Sequence, residues 1–175
     1  KIDPGIREKL QCYIRTDLAD DDGSLRFALE DFVPDIIFHL ASDANVSRSF
    51  NDPTSTIRNN IAVTTTLYES MREICQTATV VLASTSEVYG NVPTNCPITE
   101  REPFSPINPY AISKCAQEHL AQFYFKAYGI RTIVTRAFGY INPLRDDLVA
   151  TAVVRQLVDA ERRSGGLVRH GNTAS

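Results

Sequence analysis

Long hydrophobic runs and an excess of one charge are both missing from this chain of 175 residues. No stretch approaches the ~20 consecutive apolar residues that a membrane-spanning helix needs. The 18 Lys and Arg residues and the 21 Asp and Glu residues are interspersed and leave a net charge of −3. A basic surface of the kind that binds nucleic acid is therefore not expected. The composition predicts a protein that uses neither a membrane nor nucleic acid as a partner.

The spacing of cysteines and histidines that is typical of metal sites is also missing. The cysteines lie far apart and the histidines are scattered, at Cys12, Cys75, Cys96 and Cys115, and at His39, His119 and His170. Neither set forms the closely spaced pairs that ligate zinc. We therefore expect no metal ion, and we expect reduced thiols in a cytoplasmic protein.

What the sequence does contain is a regular alternation of predicted strands and helices. A hydrophobic content of 43% is enough for a sizeable core. In chain order we predict a strand at 10–14, a helix at 23–31, a strand at 35–40, a helix at 54–76, a strand at 79–83, a helix at 109–128, a strand at 131–136 and a helix at about 146–163. This alternation predicts an α/β fold, a parallel sheet covered by helices on both faces.

Tyr110 and Lys114 are the most informative pair of residues. Four positions apart on a predicted helix, they lie on one face, about one turn from each other. An ammonium near a phenol stabilises the phenolate and lowers the pKa of the tyrosine, which can then exchange a proton with a substrate hydroxyl. A solvated helical pair without a catalytic role is the alternative.

A second polar group follows the predicted strand at 79–83. The strand is short and β-branched, and it ends in Ser84-Thr85-Ser86-Glu87. Ligands of open parallel sheets bind just outside the carboxyl ends of the strands, so these side chains are placed for chemistry. The alternative is that the hydroxyls shape a turn and Glu87 faces water.

These two segments, taken together, resemble the extended branch of the short-chain dehydrogenase/reductase family. The segments in question are Ser84-Thr85-Ser86-Glu87-Val88-Tyr89-Gly90 and Pro109-Tyr110-Ala111-Ile112-Ser113-Lys114, supported by Asp17-Leu18, His39-Leu40-Ala41-Ser42, Asn60 with Thr64, and Arg136-Ala137-Phe138. Within that branch the chain is most similar to nucleotide-sugar 4,6-dehydratases of the GDP-mannose 4,6-dehydratase type. The resemblance covers nearly the whole chain and implies NAD or NADP as cofactor and a nucleotide-sugar as substrate.

The resemblance also implies catalytic roles for four residues. Tyr110 would take the proton of the sugar's 4-hydroxyl, and Lys114 would lower the pKa of Tyr110 and bind the nicotinamide ribose. Thr85 would hydrogen-bond the 4-oxygen. Glu87 would remove the C5 proton and help the C6 hydroxyl leave as water, which yields a 4-keto-6-deoxy sugar.

Binding roles follow from the same resemblance. Besides Tyr110 and Lys114, the cofactor-binding residues would be Asp17, Leu18, Ala41, Ser42 and Asn60, and the substrate-binding residues would be Ser86, Phe138 and Asn142. Two of these residues have open alternatives. Asp17 could simply cap a turn, and Asn60 could brace the active-site loop or face water.

The family's Gly-x-x-Gly-x-x-Gly turn, which binds the dinucleotide pyrophosphate, does not occur in this sequence. We therefore expect an incomplete, Rossmann-like doubly wound sheet that lacks the N-terminal glycine-rich βαβ unit and most of the C-terminal lobe. Residues 1–138 are interpreted as a partial dinucleotide-binding domain with the catalytic residues. Residues 139–175 are interpreted as the start of the substrate-binding lobe.

Three functions are compatible with these features. The first is a nucleotide-sugar 4,6-dehydratase, favoured by Thr85 with Glu87. The second is a C4 epimerase, a 4-keto reductase or a uronate decarboxylase of the same family. The third is a truncated module that folds or dimerises without turnover.

A homodimer is expected through the helices at 54–76 and 109–128. Their apolar residues cover more of the helix surface than one core face needs, and the family pairs these helices between subunits. The residues are Leu67, Tyr68, Met71, Leu120, Phe123 and Tyr124. Burial within one subunit, against the sheet, is the alternative.

Overall fold

Three strands form a parallel sheet within residues 10–137. The computed structural model describes residues 10–93, 97–139 and 149–163. The strands are β1 (Ile36–His39), β2 (Thr79–Ala83) and β3 (Thr132–Thr135), in the order β1-β2-β3. Both pairings are parallel, as the alternation predicted, so the three carboxyl ends lie at one edge.

Among the described residues, five helices alternate with or follow the strands along the chain. They are α1 (Ser24–Phe32), α2 (Val46–Asn51), α3 (Pro53–Ile74), α4 (Pro109–Tyr128) and α5 (Val149–Arg162). Two 3₁₀ turns, Leu18–Asp20 and Ser86–Tyr89, follow Asp17 and Thr85. The chain forms two compact units, residues 1–137 and residues 138–175. The assignment of these units to a cofactor domain and a substrate lobe stays a prediction.

The start and end of α4, the helix that carries Tyr110, are set by local sequence. Asn108 is the N-cap, and its side-chain oxygen accepts a hydrogen bond from the Ala111 N–H at 2.7 Å. Pro109 follows at the first helical position, where its missing N–H has no cost. Gly129 ends the helix with a left-handed φ of 74°. These signals fix where each turn of α4 falls.

The core lies between one face of the sheet and helices α1, α3 and α4. Val80 and Leu82 of β2 are buried against this helical layer. Tyr68 of α3 and Tyr124 of α4 stack with their ring centroids 4.8 Å apart. Leu67, Tyr68, Met71 and Tyr124 are all buried in this core. Within the first unit these four residues are therefore core residues.

The opposite face of the sheet is exposed in the part of the chain that the structure describes. Phe38 and Ile133 lie on this face, on either side of Val81, and expose 67% and 57% of their surfaces. Ile36 and Leu40 extend the same exposed face along β1. The described residues of the first unit thus form the sheet and one helical layer of the doubly wound fold.

Two element predictions need correction. Residues 10–14, predicted as a strand, are not a strand, because neither edge of the three-stranded sheet pairs with them. A mostly apolar segment alone does not make a strand without a neighbour to hydrogen-bond. Helix α2 was not predicted, and it begins where the Asn45 side chain accepts a hydrogen bond from the Arg48 N–H.

Candidate active site

The polar residues of the candidate site lie at the carboxyl edge of the sheet. Ala41 and Ser42 follow β1, and the segment Ser84 to Glu87 follows β2 directly. Helix α4 brings Tyr110 and Lys114 from its first two turns. Because the strands are parallel, these segments come from positions far apart in sequence and meet at one edge.

Lys114 connects two strand ends. Its ammonium donates hydrogen bonds to the Ser42 hydroxyl at 3.0 Å and to the Ala83 carbonyl oxygen at 2.7 Å. The side chain is only 3% exposed, and burial lowers the pKa of Lys114 to about 8, against the opposing influence of the Glu118 carboxylate. A lysine held in this way is a fixed, dry positive charge.

Tyr110 lies beside this charge. The Lys114 Nζ atom is 5.8 Å from the centroid of the Tyr110 ring, and Tyr110 is itself buried. The two residues are therefore not a solvated surface pair. A lowered pKa for Tyr110 stays a prediction.

The segment after β2 is held firmly in place. The Ser84 N–H donates to the Thr135 carbonyl and the Ser86 N–H to the Ala137 carbonyl, each at 2.9 Å. The Thr85 hydroxyl accepts a hydrogen bond from the Glu87 N–H at 3.3 Å and so caps the 3₁₀ turn. The main chain that carries Thr85 and Glu87 therefore continues the ladder between β2 and β3.

The Glu87 carboxylate has a defined partner. Its Oε2 atom accepts a hydrogen bond from the Asn108 side-chain amide at 2.9 Å. Glu87 is half-buried, so it does not simply face water. This contact joins the turn after β2 to the start of α4.

A buried ion pair lies under the same segment. Glu118 of α4 is 2% exposed and accepts hydrogen bonds from the Arg136 guanidinium, with Nη2 at 2.8 Å. The Ser84 hydroxyl donates to the same carboxylate, and Arg136 Nη1 donates to the Tyr89 hydroxyl at 2.9 Å. The hydrogen bonds to Glu118 raise the pKa of Arg136 above its ordinary value.

Asn60 braces the loop after β1. Its side-chain oxygen accepts from the Asp43 N–H at 2.6 Å, and its amide donates to the Asp43 carbonyl at 3.0 Å and to the Ser113 hydroxyl at 2.8 Å. Asn60 is fully buried, so the alternative in which it faces water is wrong. The bracing role links Ser42, one residue before Asp43, to helix α4.

The remaining predicted residues are Asp17, Leu18, Phe138 and Asn142. The Asp17 side chain accepts from the Ala19 N–H at 3.0 Å and caps the turn that contains Leu18, which packs against α3. Phe138 is exposed and belongs to the second unit. Asn142 lies outside the described residues. Cofactor and substrate roles for these residues stay predictions.

Sequence reasoning gave no functional role to Asn108, Glu118 or Arg136. The Asn108-Pro109 pair signals a helix start, but nothing in it indicates a contact with Glu87, 21 positions earlier. Glu118 lies one turn beyond Lys114 on α4, and this spacing was the available signal for a third buried polar residue on that face.

No helix within residues 10–93, 97–139 and 149–163 is long and apolar enough to cross a membrane. In the same ranges, no group of three or more His, Cys, Asp or Glu side chains is arranged to hold a metal ion.

This chain is similar to a known family and to individual known proteins. The family described as GDP-mannose 4,6 dehydratase matches residues 3–175. The GDP-6-deoxy-D-mannose reductase of Pseudomonas aeruginosa is 34% identical over 127 residues, which cover 71% of this chain and 42% of the relative.

Two solved structures share the fold. RMD from Pseudomonas aeruginosa, complexed with NADPH, has a TM-score of 0.77 and 31% identity, and the match covers 88% of this chain and 52% of that one. DesIV, a dTDP-glucose 4,6-dehydratase from Streptomyces venezuelae with NAD and TYD bound, has a TM-score of 0.69 and 29% identity, with 83% and 44% covered.

The present chain spans about half the length of these proteins or less. The matched part nevertheless includes the parallel sheet, the segment after β2 and the helix of Tyr110 and Lys114. The chain belongs to the GDP-mannose 4,6-dehydratase family, within the NAD-dependent epimerase/dehydratase branch of the short-chain dehydrogenases/reductases.

Proposed function

We propose that the protein is a nucleotide-sugar 4,6-dehydratase with a substrate of the GDP-mannose kind. The observation that carries this proposal is the position of Glu87. The side-chain amide of Asn108, which lies two residues before Tyr110, donates a hydrogen bond to the Glu87 carboxylate. The Glu87 N–H donates a hydrogen bond to the Thr85 hydroxyl. A dehydratase needs a carboxylate beside the tyrosine, because it must move a proton at a second carbon of the sugar.

The residues present fit a nicotinamide cofactor of the family, NAD or NADP. An ammonium carries three N–H donors, and two of those on Lys114 reach Ser42 and Ala83, so the third can reach a ribose hydroxyl. Ala41, Ser42 and Asn60 would hold the loop beside the ribose, with Asp17 and Leu18 toward the adenine. When bound, the nicotinamide would take a hydride from C4 of the sugar and return one to C6.

The chain's own residues would handle the protons. Tyr110 takes the proton of the 4-hydroxyl, the Thr85 hydroxyl hydrogen-bonds the 4-oxygen, and Lys114 stabilises the phenolate by its charge. With a carbonyl at C4, the C5 proton becomes acidic and Glu87 removes it. Glu87 then gives this proton to the departing C6 hydroxyl, so that one water is released and a C5–C6 double bond forms. When a hydride returns to C6, one proton adds at C5, and this proton balances the one that Tyr110 took from the 4-hydroxyl. Ser86, Phe138 and Asn142 are proposed substrate contacts.

The second candidate is 4-keto-sugar reduction or C4 epimerisation, favoured by the similarity to the Pseudomonas reductase. Uronate decarboxylation by the same residues remains an alternative of the same class. All three need Tyr110 and Lys114, but none of them eliminates water from C5 and C6. A module that folds or dimerises without turnover is the third candidate.

The test begins with the protein expressed from its complete reading frame. Intact mass and cofactor released on denaturation are measured first, and GDP-mannose and dTDP-glucose are then offered as substrates. We expect bound NAD or NADP and a 4-keto-6-deoxy product. Glu87→Gln should abolish this product while cofactor binding is retained. A mass of 19.5 kDa without cofactor or turnover would favour the non-catalytic module.

Assembly and location belong to the same proposal. We propose a cytoplasmic homodimer formed through α3 and α4. Of the six residues predicted for this contact, Phe123 is half exposed, whereas Leu67, Tyr68, Met71 and Tyr124 are buried in the core of the same chain. The contact would therefore use the exposed side of α4.

A further inference from the structure

We infer that Asn108 is a positioning residue for Glu87, setting the catalytic carboxylate relative to Tyr110 with a single amide side chain. This inference rests on the proposed dehydratase function. It concerns a residue that the sequence motif marks only as the start of a helix.

Both ends of the Asn108 amide are in use. The oxygen accepts the Ala111 N–H at 2.7 Å, and the nitrogen donates to Glu87 Oε2 at 2.9 Å. The helix cap identifies the amide oxygen and the amide nitrogen of Asn108, because the Ala111 N–H can hydrogen-bond only to the oxygen. The nitrogen must then face Glu87, where a carboxylate can only accept. The two contacts therefore demand the same orientation of the amide.

Burial makes this arrangement rigid. Asn108 is 4% exposed, so its amide has little water to replace either partner. Rotation of the amide would place oxygen against carboxylate and leave the Ala111 N–H without its acceptor, and both changes disfavour the rotated form. The side chain is thus confined to one rotamer.

The consequence for catalysis is geometric. The Glu87 carboxylate is attached to the first turn of α4, and Tyr110 lies in that same turn. The base for the 4-hydroxyl and the base for the C5 proton are then held by one rigid element. A misplacement of about 1 Å in such a pair can cost about 10²-fold in rate.

The test uses Asn108→Ser, because Ser caps helices about as well as Asn but has no amide to reach Glu87. We expect the melting temperature to change little, KM to stay near its wild-type value and kcat to fall by about 10- to 100-fold. With substrate deuterated at C5, the kinetic isotope effect on kcat should grow, because cleavage of the C5–H bond becomes slower than the other steps. Asn108→Asp keeps the cap but sets a like charge against Glu87, so its kcat should fall further.

Asn45→Ser is the matched control. Asn45 caps α2 through the Arg48 N–H at 2.8 Å, so the same substitution removes an amide at a cap outside the catalytic group. Its kcat and C5 isotope effect should equal those of the wild type.

Two outcomes separate this inference from the proposed function. In the first outcome, the wild type makes the product, and Asn108→Ser shows the same C5 isotope effect as the wild type. This result would overturn the role of Asn108 alone, even if kcat of the variant fell through loss of folded protein. Absence of any 4-keto-6-deoxy product from the wild type loaded with cofactor would overturn the proposed function, and the inference with it.

Discussion

At the residue scale, Lys114 affects both the stability of the fold and the proposed chemistry. A buried ammonium is costly unless it is hydrogen-bonded, and this one donates to Ser42 and to Ala83. For Lys114→Met we expect a small change in the free energy of unfolding, since the cost of burying the charge disappears together with two hydrogen bonds. Activity should fall by about 10²- to 10⁴-fold because Tyr110 loses its charge partner. Denaturant titration and kcat measure the two effects, and near-normal activity would contradict the assignment.

His39 gives a prediction about pH. The ring is buried and accepts or donates a hydrogen bond with the Thr64 hydroxyl at 2.9 Å, and burial followed by the Lys114 charge lowers the pKa of His39 to about 4. In the unfolded chain the pKa is about 6.5. Between these values the unfolded state binds the proton and the native state does not. The free energy of unfolding should therefore decrease as pH falls from 6.5 to 4, by the order of 3 kcal/mol.

Chemical denaturation across this pH range, with His39→Gln beside the wild type, measures that decrease. The variant should lose most of it, whereas His119→Gln, at an exposed histidine, should keep it. An equal pH dependence in His39→Gln and wild type would mean that other groups cause the acid sensitivity.

The residues of the site differ in how far sequence could predict them. Thr85, Glu87, Tyr110 and Lys114 are carried by short local motifs, and the structure brings their segments to one edge of the sheet. The contact of Asn108 with Glu87 arises only when a loop returns to the end of β2. Local sequence does not encode that return, because it depends on the packing of elements far apart in the chain.

At the scale of elements, the turn after β2 depends on Gly90. Its φ is 62° and its ψ is −143°, a region that glycine alone adopts readily. A Cβ at this position would overlap the Ser105 carbonyl oxygen, in the loop where the Ser105 N–H donates to the Val88 carbonyl at 2.9 Å. The close approach of the two backbones joins the turn of Glu87 to the segment that leads to Asn108.

Gly90→Ala is therefore expected to lower the free energy of unfolding by more than about 2 kcal/mol, from backbone strain and overlap together. Gly129→Ala is the control, because Gly129 also has a positive φ, of 74°, but open space where the Cβ would lie. The control should lose only about 1–2 kcal/mol. Denaturant titration compares them, and equal losses would show that strain alone matters at Gly90.

Elements with complete local signals were predicted well. The strand predicted at 79–83 and the helix predicted at 109–128 have the same bounds in the structure, since a Pro start and a Gly end mark the helix. The strand predicted at 10–14 is wrong because a strand needs a neighbour, which sequence periodicity does not show. Helix α2, of 6 residues, is too short to display a helical period.

At the scale of the whole molecule, the first unit presents two exposed apolar surfaces. One is the open face of the sheet, with Phe38 and Ile133. The other is a stripe on α4 that includes Ile112 and Phe123, at helical spacing on one side. In α/β folds a second helical layer covers such a sheet face, so it belongs to the inside of a domain. The stripe on α4 is the surface that we propose for a second subunit.

We therefore expect Phe123→Lys to shift the protein from dimer to monomer in sedimentation velocity, while the melting temperature falls little because Phe123 is 50% exposed. A lysine in the centre of an apolar contact loses its hydration without gaining a partner, which disfavours association. Phe27→Lys, at another exposed phenylalanine on α1, should leave the dimer intact. The sheet face supplies the decisive comparison: if Phe38→Lys dissociates the dimer and Phe123→Lys does not, the subunits associate through the sheet and the assignment to α4 is wrong.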